Sequence, residues 1–176
     1  SSAWPVQLDV VWRAAFPLHD KRILAALDVM LSIHTSLLDS HPQLIAVTTV
    51  PTSPTLRLID AAAASWQSLD VAAGRVQLLE PSNGCGCVVV RVPNAPWSYA
   101  EMIHPADFRS DRWTACGPDS AELHHGLFPQ TLEKGVLVRA RMRGAWVTRD
   151  NDLEAAAACY AAFAAGEPPL GNYGPA

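Results

Sequence analysis

Residues 136–147 carry the longest run of alternating apolar and polar side chains in the chain, and a period of two predicts a β-strand with one buried face. The apolar members of this run can all face a core: Val136, Val138, Ala140 and Met142. The opposite face would then carry a row of guanidinium groups: Arg139, Arg141 and Arg143. We therefore expect a sheet with one buried face and one polar face.

Five further segments predict strands, because they alternate or are rich in β-branched residues: 6–13, 44–50, 55–59, 75–80 and 87–92. The Pro-containing turn at 51–54 predicts that the second and third of these segments form a hairpin. The Pro-Ser-Asn-Gly turn at 81–84 predicts another hairpin from the last two. The near-continuous valines of residues 87–92 are typical of a strand in the middle of a sheet.

Two segments have the spacing of helices. In residues 23–38, apolar side chains recur every three or four positions behind Asp20, which predicts a long helix with an N-cap. A second helix is expected to begin at Asn151 or Asp152 and to end at Gly166. The order of elements predicts the α+β class: a mostly antiparallel sheet of about five to six strands, with a long N-terminal helix and a C-terminal helix packed on it.

The chain has 176 residues, of which 49% are hydrophobic, and this predicts a single globular domain spanning residues 1–176. Within it, residues 94–133 are expected to form a long polar excursion, and residues 167–176 an extended tail. No apolar run is long enough to span a bilayer, so we expect a soluble protein, either cytoplasmic or extracytoplasmic. The first residue is Ser1, which indicates a removed leader or a fragment.

The excursion holds a candidate metal site. On a helical turn Glu101 and His104 would share a face, which is the E-x-x-H spacing of carboxylate and histidine ligands. Asp107 and His125 could complete the set for a divalent ion such as zinc. A structural alternative stays open, because Glu101 could instead close a capping box and a proline directly follows His104.

Candidate catalytic residues come from the same excursion: His104, Asp107, His124 and His125. A histidine titrates near neutral pH and could act as a general base, oriented by a nearby carboxylate such as Asp119 or Glu122. Adjacent histidines project in different directions, so at most one of the pair would enter a given site. The chain has no G-x-S-x-G elbow, which weighs against a serine hydrolase.

The arginine row is a candidate anion site, together with an arginine of a neighbouring strand: Arg139, Arg141, Arg143 and Arg91. Guanidinium groups bind carboxylate, phosphate or sulfate through bidentate hydrogen bonds, although they could equally pair with carboxylates across strands on a solvated face. Trp97 and Trp113 are candidate stacking platforms for a ligand, or else buried anchors. The net charge of −4 weighs against a nucleic acid partner.

The four cysteines leave three interpretations open, of which the first, a metal or redox pair at Cys85 and Cys87, rests only on a lone C-x-C spacing. Cys85 or Cys87 could bond to Cys116 and staple the excursion, or these thiols could be free. Cys159 lies on an apolar face of the predicted C-terminal helix, which predicts a buried free thiol.

Two functional hypotheses follow from these patterns. The first is a noncatalytic ligand- or partner-binding domain, whose excursion and arginine row recognise an anionic small molecule or a protein. The second is a metal-assisted hydrolase that uses the Glu, His and Asp cluster of the excursion. Geometry separates the two, because the ligands of one metal ion have to converge on a common point.

Overall fold

The computed structural model describes residues 6–15, 18, 20–70, 72 and 74–166. Its strands, in chain order, are β1 (Val6–Ala14), β2 (Ile23–Thr35), β3 (Asp39–Ser40), β4 (Leu44–Pro51), β5 (Thr55–Asp60), β6 (Ser65–Ser68), β7 (Val76–Leu79), β8 (Cys87–Val90), β9 (Trp97–Ile103), β10 (Ser110–Ala115), β11 (Ser120–Leu127), β12 (Leu132–Glu133) and β13 (Leu137–Thr148). A short 3₁₀ helix at Pro81–Asn83 separates β7 from β8, and the α-helix α1 spans Asp152–Ala165.

The strands form two antiparallel sheets that pack face to face. The large sheet has seven strands in the order β1-β2-β13-β9-β8-β5-β6, and the small sheet has four in the order β4-β11-β10-β7. Strands β3 and β12 pair separately as a two-stranded ribbon. The helix α1 packs on the face of the large sheet that points away from the small sheet, so the described residues form three layers.

Successive side chains along a strand of the large sheet pack into two different hydrophobic cores, one on each face of the sheet. Val88 of β8 belongs to the buried cluster that contains Trp113 and Leu123 of the small sheet. Its neighbour Val89 belongs to the cluster that contains Ala156 of α1. All four residues of β8 are buried, and the valine run is an interior strand, as predicted.

The predicted α+β class with a long N-terminal helix is wrong, because residues 23–35 form strand β2. β2 lies between β1 and β13 and is covered on both faces along part of its length. Ala26 joins the core under α1, whereas Leu31 and Ile33 join the core between the sheets. A strand buried on both faces has few polar positions, so its apolar residues also match a helical spacing.

Both predicted hairpins are also wrong, because the chain changes sheet at each of the two turns. β4 belongs to the small sheet and β5 to the large sheet, and the same holds for β7 and β8. A Pro- or Gly-containing turn can close a hairpin or carry the chain around a corner between packed sheets, and its local sequence does not distinguish these outcomes.

Residues 94–133 form regular strands rather than an irregular excursion. β9 joins the large sheet between β13 and β8, while β10 and β11 form the middle of the small sheet. In β11 every second residue is buried and the residues between are partly exposed, which is the period of a strand. The predicted tail at 167–176 lies outside the described residues.

The cysteines are all free thiols. Cys159 is buried in α1, as predicted, and no disulfide joins Cys85 or Cys87 to Cys116. Burial raises the pKa of the Cys87 thiol well above its usual value. Cys87 and Cys159 belong to the core between α1 and the large sheet, so they pack as small apolar residues.

The helix α1 occupies its predicted position and is anchored by a buried carboxylate. Asp152 accepts two hydrogen bonds from the Arg91 guanidinium, both of 2.9 Å, and one of 2.7 Å from the Ser98 hydroxyl. Burial raises the pKa of Asp152, but these hydrogen bonds outweigh it and hold the pKa below its usual value. No helix in the described ranges is long and apolar enough to cross a membrane.

Replacing Asp152 by Ala should loosen the attachment of α1, because Arg91 and Ser98 would lose their common acceptor. Since the Arg91 side chain is 36% exposed and can rehydrate, we expect the free energy of unfolding to fall by about 2 kcal/mol. Urea denaturation at pH 7, followed by circular dichroism, measures this loss.

The matched control is Glu154→Ala on the same helix. Glu154 is largely exposed and pairs with Arg22 at the surface, so its removal should cost much less than removal of Asp152. Equal losses for the two variants would show that the buried network does not anchor the helix.

Candidate functional site

A groove of about 300 Å³ opens between the inner face of the large sheet and strand β4, which is an edge strand of the small sheet. We call it the inner groove, and its lining residues come from five strands: Val10, Trp12, Leu27, Val29, Leu31, Ala46, Val47, Thr48, Tyr99, Glu101, Met142, Arg143, Gly144 and Trp146. The lining is mostly apolar with a few convergent polar groups, which is the composition of a small-molecule site.

The inner groove exists because the large sheet extends beyond the small one. Trp12 of the edge strand β1 is 65% exposed, and the neighbouring Val10 is 39% exposed. Further in, the rings of Tyr99 and Trp146 stand side by side on β9 and β13, with their centroids 5.4 Å apart. The groove therefore runs from an exposed indole at its rim to an aromatic pair beside Glu101.

Glu101 is the polar centre of the inner groove, and its carboxylate is only 3% exposed. Its Oε1 accepts hydrogen bonds from the Thr48 hydroxyl at 2.8 Å and from Nε2 of His125. Its Oε2 accepts a hydrogen bond of 2.7 Å from the Tyr99 hydroxyl. Three donors from two sheets thus fix the position of one carboxylate.

His125 connects Glu101 to a second buried carboxylate. Its Nε2 contacts Glu101, and its Nδ1 lies 3.0 Å from Oδ1 of Asp111. The second contact is an ion pair only, because its geometry does not meet that of a hydrogen bond. Asp111 and His125 are opposite each other on β10 and β11, so the pairing register of the small sheet brings them together.

The two carboxylates keep the His125 ring charged. Burial lowers the pKa of His125, but Asp111 and Glu101 outweigh it and raise the pKa to about 10. For Glu101, burial raises the pKa, and the hydrogen bonds and charge of His125 together with the Tyr99 and Thr48 hydroxyls bring it below its usual value. Glu101 is consequently ionised near neutral pH.

Gly144 makes room for the Tyr99 hydroxyl beside Glu101. These residues are close because Gly144 pairs with Glu101 across β13 and β9, two positions along β9 from Tyr99. A β-carbon at position 144 would lie 2.9 Å from the Tyr99 oxygen, which is closer than van der Waals contact permits. A larger residue would therefore push the phenol away from the carboxylate.

The residues predicted to bind a metal do not converge. Glu101 is in strand β9 and His104 directly follows it, so residues three positions apart here are directed to opposite sides of the large sheet. Glu101 meets His125 between the sheets, whereas His104 and Asp107 contact Arg141 on the side of α1. Among the described residues, no group of three His, Cys, Asp or Glu side chains could hold a metal ion.

The other predicted catalytic histidine, His124, is on the solvent side of the small sheet. Its Nε2 lies 2.8 Å from Oε2 of Glu122, and its Nδ1 lies 3.2 Å from the Arg112 guanidinium. The two adjacent histidines therefore face opposite sides of β11, as expected for a strand. The hydrolase hypothesis has lost its geometric basis, since Glu101 and His125 lie between the sheets whereas His104 and Asp107 lie on the side of α1.

The predicted ligand-binding residues are also separated. Arg91 is held by Asp152, and Trp113 is fully buried in the core between the sheets, so it is an anchor and not a platform. Trp97 is partly exposed on β9 but does not line the inner groove. The arginine row lies together on the outer face of β13, where Arg143 pairs with Asp28 and Arg141 with Asp107.

The sequence indicated no site role for five residues that lie in or directly behind the inner groove: Trp12, Thr48, Tyr99, Asp111 and Trp146. One signal was available, because Tyr99 and Glu101 are two positions apart and share a face once residues 97–103 are treated as a strand. No local pattern indicates Asp111 or Thr48, since they join Glu101 only through the packing of the two sheets.

Two crystal structures show a similar fold. A proposed aldose 1-epimerase from Escherichia coli K12 matches with a TM-score of 0.54 and 12% sequence identity, over 84% of this chain and 67% of that chain. Another proposed aldose 1-epimerase, from Klebsiella pneumoniae subsp. pneumoniae MGH 78578, matches with a TM-score of 0.52 and 9% identity, over 94% of this chain and 58% of that chain. No protein-family model and no curated protein sequence matches the chain.

At these identities the likeness concerns the fold alone, which is a β-sandwich similar to that of the two proposed aldose 1-epimerases. The chain spans about two thirds of the length of the first protein and 58% of the second.

The buried charges of the inner groove predict a specific pH dependence of stability. Because the folded-state pKa of His125 is raised to about 10, its stabilising contribution is complete below its unfolded value near 6.5 and is lost as the pH rises toward 10. The difference in unfolding free energy between the wild type and His125→Gln should therefore be largest at pH 6 and shrink steadily up to pH 10. Urea denaturation at a series of pH values measures it.

The matched control is His124→Gln, on the next position of β11 but on the solvent face. Its stability should follow that of the wild type from pH 6 to 10. A constant difference between the wild type and His125→Gln over this range would contradict a charged His125.

Proposed function

We propose that this protein binds carbohydrate in the inner groove, and that it does so without catalysing a reaction. The observation that carries the proposal is the placement of an exposed indole, Trp12, in the same groove as a fixed and ionised carboxylate, Glu101. A sugar ring offers both complementary surfaces, since its C–H faces pack on aromatic rings and its hydroxyls donate to carboxylates.

The aromatic residues provide the apolar part of the site. Trp12 is exposed at the rim, and Trp146 with Tyr99 forms the wall next to Glu101. Aromatic side chains bring a large contact area at a low conformational cost, which makes them effective in recognising a rigid ring.

The polar part of the site is fixed before any ligand arrives. Two carboxylate oxygens have about four acceptor positions, and Thr48, Tyr99 and His125 occupy three of them, so one remains for a ligand hydroxyl. The Tyr99 and Thr48 oxygens are further acceptors, because each uses its own proton toward Glu101. Such an arrangement gives directional recognition with little reorganisation.

The same hydrogen bonds favour binding over catalysis. Epimerisation at the anomeric carbon needs one group that removes a proton from a sugar hydroxyl and another that gives a proton to the ring oxygen. Glu101 is a weak base because its pKa is below its usual value. His125 is 1% exposed, its Nε2 donates to Glu101 and its Nδ1 lies beside Asp111, so its ring is not open to a ligand. The similar folds are those of proposed aldose 1-epimerases, which supports a sugar as the ligand.

Replacing Trp12 by Ala should weaken sugar binding by at least about tenfold, or ~1.4 kcal/mol, because the stacking surface would be lost. Tyr99→Phe keeps the ring but removes the hydroxyl, so a smaller loss is expected. Binding of D-glucose, D-galactose, maltose and lactose can be followed through the indole N–H signals in ¹H–¹⁵N correlation spectra.

Trp97→Ala is the matched control, because Trp97 is on the same strand as Tyr99 but outside the groove. Its affinity should equal that of the wild type. If none of the four sugars shifts the signals of Trp12 or Trp146 at up to tens of millimolar, the carbohydrate proposal fails.

Polarimetry of freshly dissolved α-D-glucose tests the absence of catalysis. We expect the rate of mutarotation to equal the uncatalysed rate at every protein concentration. A rate proportional to the protein concentration, and lost in Glu101→Gln, would replace the binding proposal by an aldose 1-epimerase activity.

A further inference from the structure

A second and larger groove, of about 750 Å³, lies on the opposite face of the large sheet, beside the C-terminal end of α1. We call it the outer groove. Its charged lining residues are two aspartates and four arginines: Asp9, Asp28, Arg13, Arg139, Arg141 and Arg143. Apolar side chains complete it, including Val11, Met30 and Phe163. The large sheet separates it from the inner groove and from Glu101.

The pairing register of three strands sets the arrangement of these residues. Ser32 of β2 lies between Asp9 of β1 and Arg139 of β13 in the first cross-strand row. Met30 lies between Val11 and Arg141 in the second row. The middle of the floor is therefore apolar, and Arg139 and Arg141 stand next to each other along one side of it.

In the third cross-strand row the charged side chains are already paired with one another. Asp28 lies between Arg13 and Arg143, at 3.4 Å from the first and 2.6 Å from the second. The guanidinium of Arg143 also lies over the ring of Phe163 in α1, 4.7 Å from its centroid. These contacts close this end of the groove, so a ligand charge would not find a free cation there.

Arg141 is held rigidly in the second row. Its Nε donates to Oδ2 of Asp107 at 2.8 Å, and its Nη2 donates to Nδ1 of His104 at 2.9 Å. His104 can accept this bond because its Nε2 donates to the carbonyl of Ala164 at 3.2 Å, and because burial and the charge of Arg141 lower its pKa. Nη1 of Arg141 has no partner among the described residues, so the fixed guanidinium keeps donors available.

Arg139 supplies a second available guanidinium. It is exposed and makes no ion pair with any residue that the structure describes. Residues two apart on a strand are separated by about 6.6 Å, so the guanidinium groups of Arg139 and Arg141 can both reach one oxyanion placed between them.

We propose that the outer groove binds a small organic anion, whose carboxylate or phosphate group lies between Arg139 and Arg141. The apolar part of the ligand packs on Val11 and Met30, which line the floor between the charged rows. Asp107 and His104 hold the Arg141 guanidinium in place before the ligand binds, and Arg139 donates hydrogen bonds to the ligand from the adjacent position. The site takes both a charge and an apolar body, so neither a free inorganic anion nor a neutral alcohol fills it.

Titration with hexanoate, hexyl phosphate and hexanol tests this assignment. We expect hexanoate or hexyl phosphate to bind, with the tighter of the two identifying the preferred headgroup, and hexanol not to bind. Inorganic phosphate and acetate should bind at least tenfold more weakly than their hexyl counterparts. Isothermal titration calorimetry gives the affinities, and the Nε–H signals of Arg139 and Arg141 in ¹H–¹⁵N spectra locate the ligand.

Arg139→Gln should weaken binding at least tenfold without affecting folding, because the side chain is exposed and has no ion pair in the described chain. Arg141→Lys should also weaken it, since lysine keeps the charge but loses the guanidinium fork. The matched control is Arg112→Gln, an exposed arginine of the small sheet, which should leave the affinity unchanged.

The proposal is overturned if neither hexyl anion binds, or if Arg139→Gln and Arg112→Gln bind equally well. Equal affinity for hexanoate and hexanol would overturn it as well, because the apolar floor alone would then account for binding. Sugar binding at the inner groove is measured on the same samples through the indole signals, so the proposal for each groove is tested independently of the other.

Discussion

The antiparallel pairing of β13 with β2 on one side and β9 on the other is the constraint on which both grooves depend. Successive side chains of a strand point to opposite faces, so one register places Gly144 and Trp146 in the inner groove and Arg139 and Arg141 in the outer one. A slip of one residue would exchange the two sets and put guanidinium groups between the sheets. The buried clusters on both faces of the large sheet oppose such a slip.

The chain of charges from Glu101 through His125 to Asp111 links the two sheets at the base of the inner groove. Burying the ionised Glu101 and the charged His125 carries a desolvation cost, and removing one member leaves its partner uncompensated. The packing between the sheets offsets that cost and holds the carboxylate of Glu101 at a fixed place. A rigid acceptor is useful for recognising a ligand, whereas a proton-transfer group has to give up or gain its proton during the reaction.

Prediction from the sequence succeeded where a local pattern decides the structure. The alternation in residues 136–147, the strand at residues 6–13 and the helix that begins near Asp152 all depend on neighbouring residues. It failed for residues 23–35, where burial on both faces removed the polar positions that distinguish a strand from a helix. It also failed at Glu101 and His104, because their spacing was interpreted on a helical turn, whereas Glu101 is in strand β9 and His104 directly follows that strand.

By itself the sequence determined which side chains share a face of a strand, and this placed the arginine row on one side of β13 before any fold was known. Only the tertiary structure decided which strands belong to the same sheet, because a turn such as 51–54 suits a hairpin and a corner equally. The inner groove exists only because the strands are divided between the two sheets in this way. Glu101 of the large sheet is far in the chain from Thr48 and His125 of the small sheet, and it meets them only because the two sheets pack face to face.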